Sequence, residues 1–196
     1  MIVKKEDVVR ILVALTLMCS CFSIGGCGDQ MKYDMYSSKD ADINVTMKYP
    51  SGWKFVESKG AYKSFSQVTF LAPRDPKKKI GGHISLLVKD GQAAEKAVVD
   101  REIDGLIQLR SKMPSAKVVE RKRANMAGQD AQVFEITYER PYKFETMDAD
   151  LVAVTERMVV QKQKGRLYFF SFVSQVEDRD MFLDLFQRML GTIKLK

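Results

Sequence analysis

The sequence predicts an α+β domain, a mostly antiparallel β-sheet flanked by helices on both faces, and three observations carry that expectation. Several short runs alternate apolar and polar side chains with period two, as half-buried strands do. Two other stretches place apolar residues at the 3.6 period of an amphipathic helix. One run, Leu167 to Val173 (LYFFSFV), is apolar on both faces except at Ser171. A strand of that kind belongs in the middle of a sheet, covered on each side.

The elements follow in order. Ile43, Val45 and Met47 alternate with polar residues up to Tyr49, and Pro50-Ser51-Gly52 ends that strand in a turn. Trp53, Phe55 and Val56 continue after it. Phe65 to Leu71 (FSQVTFL) is a further strand, closed by Pro73-Arg74-Asp75-Pro76 and the lysine triplet 77–79, and Ile80 to Val88 is another. The period then changes: Val99, Ile103, Leu106 and Ile107 predict one amphipathic helix over about residues 93–112, stopped by Met113-Pro114. Strand signals return at Ala116 to Arg121, Ala131 to Tyr138, Leu151 to Val160 and Arg166 to Val173. The last two flank a hairpin turn at Lys162-Gln163-Lys164-Gly165. Phe182, Leu185, Phe186, Met189 and Leu190 predict a closing helix, with Asp178 as its N-cap and Gly191 past its end.

The amino terminus reads as an address rather than as structure. Lys4, Lys5 and Arg10 precede an uncharged stretch, Ile11 to Ile24, whose 14 residues fall short of the roughly 20 a membrane-spanning helix needs. Ile24-Gly25-Gly26-Cys27 resembles the lipobox of bacterial lipoprotein signal peptides: an aliphatic residue, two small ones, then the cysteine that receives lipid. The resemblance implies a diacylglycerol thioether on Cys27 and cleavage after Gly26. Cys21, preceded by Met18-Cys19-Ser20, is the rival, with residues that fit the small-residue pattern less well. The expected organisation is therefore a signal peptide over residues 1–26, a lipidated polar tether over 27–42, and one domain over 43–196. Removal of residues 1–26 leaves 170 residues. Three basic and two acidic side chains go with the leader, which takes the formal net charge from +7 to +6. All three cysteines (Cys19, Cys21, Cys27) lie in this segment, so the domain itself has neither disulfide nor thiol chemistry.

Composition narrows the function classes. With 45% hydrophobic residues and 29% charged, the chain is neither low-complexity nor disulfide-dense, and a mean hydropathy of −0.21 excludes a polytopic membrane protein. One histidine excludes a histidine-rich metal site.

The order of elements, with four local features, resembles the PsbP-like family. Tyr49-Pro50-Ser51-Gly52-Trp53 matches its opening after the first strand, and Phe70-Leu71-Ala72-Pro73 resembles the end of a following one. Gly128-Gln129-Asp130-Ala131 sits at a small-residue turn before a long strand. Arg166-Leu167-Tyr168 leads an aromatic strand into a Phe-rich helix. The resemblance covers about residues 43–195 and implies an α/β/α sandwich. Lipid-anchored bacterial members, of the DcrB type, are the nearer analogy. Gly191-Thr192 departs from the family's Ser-Phe, and no metal or photosystem motif carries over.

Candidate chemistry is sparse. His83 has no serine or carboxylate in a pattern that would make it a general base. Asp100, Glu102 and Asp104 share a helix as a solvated surface would, and no calcium loop is present. The chain is therefore expected to have no catalytic residues, no metal site and no cofactor. Two basic clusters, Lys77-Lys78-Lys79 and Arg121-Lys122-Arg123, are candidates for anionic headgroups or an acidic partner. The expected function is a non-enzymatic protein-binding or assembly module on the periplasmic or outer face of the bacterial envelope. The membrane, through Cys27, and an envelope protein are its expected partners, and nucleic acid is not. Gly28 lacks the aspartate that some bacteria read as inner-membrane retention, which favours an outer membrane where two exist. The alternative is a small-ligand or transport-accessory lipoprotein, with a pocket between sheet and helix lined by Trp53, Tyr62 and Tyr168.

Overall fold

A computed structural model of the chain describes residues 31–59, 65–142 and 150–195. Ten strands and three α-helices run in the order β1 (Tyr33–Ser37), β2 (Val45–Pro50), β3 (Lys54–Lys59), β4 (Ser66–Leu71), β5 (His83–Lys89), α1 (Gly91–Lys96), α2 (Val99–Arg110), β6 (Lys117–Met126), β7 (Gln129–Pro141), β8 (Leu151–Gln163), β9 (Arg166–Gln175), α3 (Arg179–Thr192) and β10 (Lys194–Leu195) among the described residues. They form a seven-stranded sheet, β3-β4-β5-β9-β8-β7-β6, and a three-stranded sheet, β1-β2-β10. Every pairing described is antiparallel.

β9 organises the interior. It is the central strand of the large sheet, fourth from either edge, and all of its residues except Arg166 are buried. Its side chains alternate between two clusters, as the pleat requires. Tyr168, Phe170 and Phe172 join Phe182, Leu185, Phe186 and Met189 of α3, together with Val45 and Met47 of β2. Leu167, Phe169 and Val173 join Ile103 of α2 and Phe134 and Ile136 of β7. The Phe170 and Phe186 rings stack at 4.7 Å, and the Phe172 ring meets Phe186 edge-on at 5.3 Å.

Local chemistry explains the joints. The turn after β2 is closed by Trp53 N–H donating to the Pro50 carbonyl at 3.2 Å, with Gly52 at φ +85° in the position that demands glycine. Lys164 and Gly165, at φ +50° and +72°, make the expected tight hairpin between β8 and β9. Gly82 is required for a different reason: a Cβ there would run into the buried ring of Phe182, whereas Gly81 beside it has open space.

Four expectations need correction. Residues 33–37, assigned to the tether, form β1 instead. Its Tyr36 is 1% exposed and its hydroxyl donates to Glu57 Oε1 at 2.6 Å, so the domain boundary moves from residue 43 back to about 33. The single helix over 93–112 is two helices, because Ala97 and Val98 are extended and Lys162 Nζ reaches across to the carbonyls of Glu95 and Ala97. Asp178 stands at the N-cap of α3, but its side chain makes no capping bond and accepts from Lys78 Nζ at 2.8 Å instead. Gly191 lies inside α3, whose end is fixed by Thr192 Oγ1 donating to the Met189 carbonyl at 2.9 Å.

Candidate functional site

β5 and β9 each send one set of side chains into the α3 cluster, so the other set must face the opposite side. On β5 these are His83, Ser85, Leu87 and Lys89; on β9, Phe169, Ser171 and Val173. The register aligns them in rows across three strands. His83 lies opposite Val173 and Val173 opposite Glu156; Ser85 opposite Ser171 and Ser171 opposite Met158; Leu87 opposite Phe169. α2 packs over β7 and β8 on this side and contributes Leu106 and Arg110 as a wall. Between wall and sheet lies a recess of about 440 Å³, with Phe65 and Gln67 at one edge and Tyr138 and Arg140 at the other. Its size falls in the range of small-ligand sites.

The polar groups of the recess are largely committed to one another. Glu156, 3% exposed, accepts from Arg110 Nε at 2.5 Å and Nη2 at 3.1 Å, and from the Tyr138 hydroxyl at 3.0 Å. Burial, with the Glu156 charge behind it, pushes the Tyr138 phenol up to about 12, and the Arg110 guanidinium is held still more firmly protonated by its bonds to Glu156. Ser85 Oγ and Ser171 Oγ share a hydrogen bond at 2.9 Å. Lys89 Nζ pairs with Glu102 at 3.2 Å and lies 5.0 Å from the centre of the Phe169 ring. Arg140 differs: it lines the recess, and among the described residues it makes no hydrogen bond or ion pair.

His83 is partly buried at the sheet side of this recess. Loss of hydration and the nearby Arg140 charge both disfavour its protonation, and they outweigh the opposing pull of Glu156, so its pKa lies below 6.5. Because the folded state holds this imidazole neutral, its contribution to stability is intact above 6.5 and is lost as pH falls through the folded value. His83 is the only histidine, so its Cε1 proton gives a single resonance in a proton NMR titration. The midpoint is expected below 6.5 in the native protein and near 6.5 in urea; a native midpoint at or above 6.5 would contradict this environment.

The structure distributes the residues singled out from sequence. Tyr168 is a core residue, 1% exposed, and Trp53 packs half-buried against the Phe182 ring at 5.8 Å. Both belong to the α3 cluster, on the opposite side of the sheet from the recess, so a pocket shared by these two residues is not what the fold builds. Tyr62 and Cys27 lie outside the described residues. The basic clusters are not bare. Lys78 pairs with Asp178 at 2.8 Å and Lys79 with Asp150 at 3.1 Å. Arg121 pairs with Asp104 at 2.6 Å and Asp100 at 3.3 Å, and Lys122 with Glu120 at 2.6 Å. The Lys77 backbone N–H donates to Asp75 at 2.9 Å, and Arg123 borders a smaller hollow with Val99 and Gln132. The anions proposed for Lys78, Lys79, Arg121 and Lys122 must therefore displace carboxylates already in place. Exposed pairs of this type contribute about 0–1 kcal/mol each.

Glu156, Arg110, Tyr138 and Arg140 escaped the sequence reading. Glu156 carried one signal, a charge in the Thr155-Glu156-Arg157 interruption between two apolar runs of one strand, and Arg110 another, a cation in the last turn of an amphipathic helix.

No protein-family model matches the sequence, and no curated protein matches it. Solved structures do share its fold. The chain is similar to the cyanobacterial PsbP (CyanoP) of Synechocystis sp. PCC 6803, at 19% identity and a TM-score of 0.52, over 90% of this chain and 99% of that one. It is similar also to LpqN, involved in cell envelope biogenesis of Mycobacterium tuberculosis, at 12% identity and a TM-score of 0.52, over 84% of this chain and 91% of that one. The chain thus has a PsbP-like fold. Among the described residues no helix is long and apolar enough to cross a membrane.

Proposed function

We propose that this chain is a non-enzymatic, lipid-anchored module of the bacterial envelope, of the DcrB type, which holds a small ligand in the recess between α2 and the sheet of an α/β/α sandwich. The recess carries the reading: it is preformed, its floor is apolar, and its acid–base groups are bonded to one another rather than poised around an open reaction centre. The lipobox at Cys27 supports the anchor, and the shared fold with an envelope-biogenesis protein supports the location.

A second reading, docking and assembly with an envelope protein, has its own support. β3 is an edge strand of the large sheet and exposes Phe55 and Val56, the kind of strand to which another chain adds.

Two measurements test the proposal. Labelled palmitate is expected in the wild type and in Cys21→Ser and absent from Cys27→Ser; undiminished label in Cys27→Ser would remove the anchor. Native mass spectrometry of the full chain, gently extracted from its membrane, is expected to show a bound small molecule. Ser85→Trp, which fills the recess from the floor, is expected to lose it. Equal ligand occupancy in both proteins would move the function away from the recess and towards the β3 edge.

A further inference from the structure

We propose that the recess takes a small monocarboxylate with an apolar body, its carboxylate held by Arg140 and its hydrocarbon part lying along the rows between His83 and Leu87. This deepens the ligand-binding reading and rests on it.

Charge counting fixes the sign. Three cations line the recess, Lys89, Arg110 and Arg140. Glu156 occupies Arg110 through both of its oxygens, and Glu102 occupies Lys89. One guanidinium is left over among the described residues. Its planar fork is shaped for two oxygens of a carboxylate, and one excess positive charge matches a monoanion better than a doubly charged phosphate.

The floor fixes the body. Leu87, Phe169, Met158 and Val173 present hydrocarbon, while Ser85 and Ser171 satisfy each other and ask nothing of a ligand. The four residue steps from His83 to Leu87 span about 13 Å of strand, enough for a medium-length chain. An apolar ligand without a charge would leave Arg140 unmatched. A cationic one would face it directly.

The test uses three probes of the same chain length on the full-length protein: octanoate, octanol and octylammonium. Binding is followed by amide shifts of residues 83–89 and 167–173. Octanoate is expected to bind at least about ten-fold more tightly than either of the others, the scale of one charge-assisted bidentate contact. Arg140→Gln is expected to abolish that preference while leaving octanol binding unchanged, and Arg140→Lys to keep part of it. Octanol or octylammonium binding as tightly as octanoate would overturn the assignment of ligand class and leave the recess as a ligand site. An undiminished octanoate preference in Arg140→Gln would overturn the role of Arg140. No shift with any of the three would overturn both this inference and the ligand-binding reading on which it rests.

Discussion

Replacing Phe186 by alanine is expected to lower the unfolding free energy by about 3–5 kcal/mol. Phe186 is 1% exposed, stacks on Phe170 and meets Phe172 edge-on, so the substitution removes two aromatic contacts together with the buried area. Each such pair adds about 0.5–1.5 kcal/mol beyond burial. The rings it leaves, Phe170 and Phe172, both belong to β9, a strand hydrogen-bonded on both sides. Neither can collapse into the hole. Domains of this size have about 5–15 kcal/mol in all, so the variant stands near the limit of folding. Urea unfolding measures the effect as a lower midpoint at unchanged slope, and Phe186→Leu should recover much of the loss. A cost below about 1.5 kcal/mol would mean that α3 is not seated on β9 as described.

Glu135→Gln is the second large effect, also about 3–5 kcal/mol, and its cause is electrostatic. The Glu135 side chain is wholly buried on β7. It accepts from Arg157 Nη1 at 2.5 Å and from Arg179 of α3 through Nε at 2.5 Å and Nη2 at 3.1 Å. Arg157, itself nearly buried, also pairs with Glu120 at 2.7 Å. Glutamine keeps the shape and removes the charge, which leaves two guanidinium groups facing an amide. Burial alone would raise the Glu135 pKa, but the bonds from Arg179 and Arg157 outweigh it and hold the carboxyl below its usual 4.5. With a depressed folded value, this contribution is complete above the ordinary carboxylate range and disappears as pH falls through the folded value. The stability gap between wild type and variant should therefore be widest near neutrality and close in acid. A gap that persists unchanged to pH 2 would assign the loss to packing.

Much of the fold was legible because its strands follow the simplest rule available. β4, β5, β7 and β8 sit over the runs read as strands, and β9 shows why a doubly apolar strand is central: its two faces serve two clusters. β1 was missed because YDMYS exposes all but one of its side chains substantially; a strand that buries only Tyr36 leaves little trace in hydropathy. The break between α1 and α2 was missed because Lys162, remote in sequence, holds the carbonyls of Glu95 and Ala97 at the end of α1, and helical periodicity does not register such a contact.

The recess was harder to foresee. Its residues come from β4, β5, α2, β7, β8 and β9 and from Phe65 just before β4, and only the register brings His83 level with Glu156 two strands away. Trp53 and Tyr168 stood out as aromatic pocket walls, yet in this fold Tyr168 fills the core and Trp53 packs half-buried against it. The hollow is lined instead by an apolar floor with two serines, and by charges of which all but Arg140 pair with a neighbour among the described residues.

The half-buried contact of Trp53 with Phe182 also gives the protein a built-in optical reporter. Since the chain has a single tryptophan, its fluorescence belongs to one location, the seam where the turn after β2 meets the start of α3. Detachment of that helix would register as a red shift without any dye, while occupancy on the far side of the sheet would leave the emission silent. One intrinsic signal thus separates loosening of the scaffold from filling of the hollow.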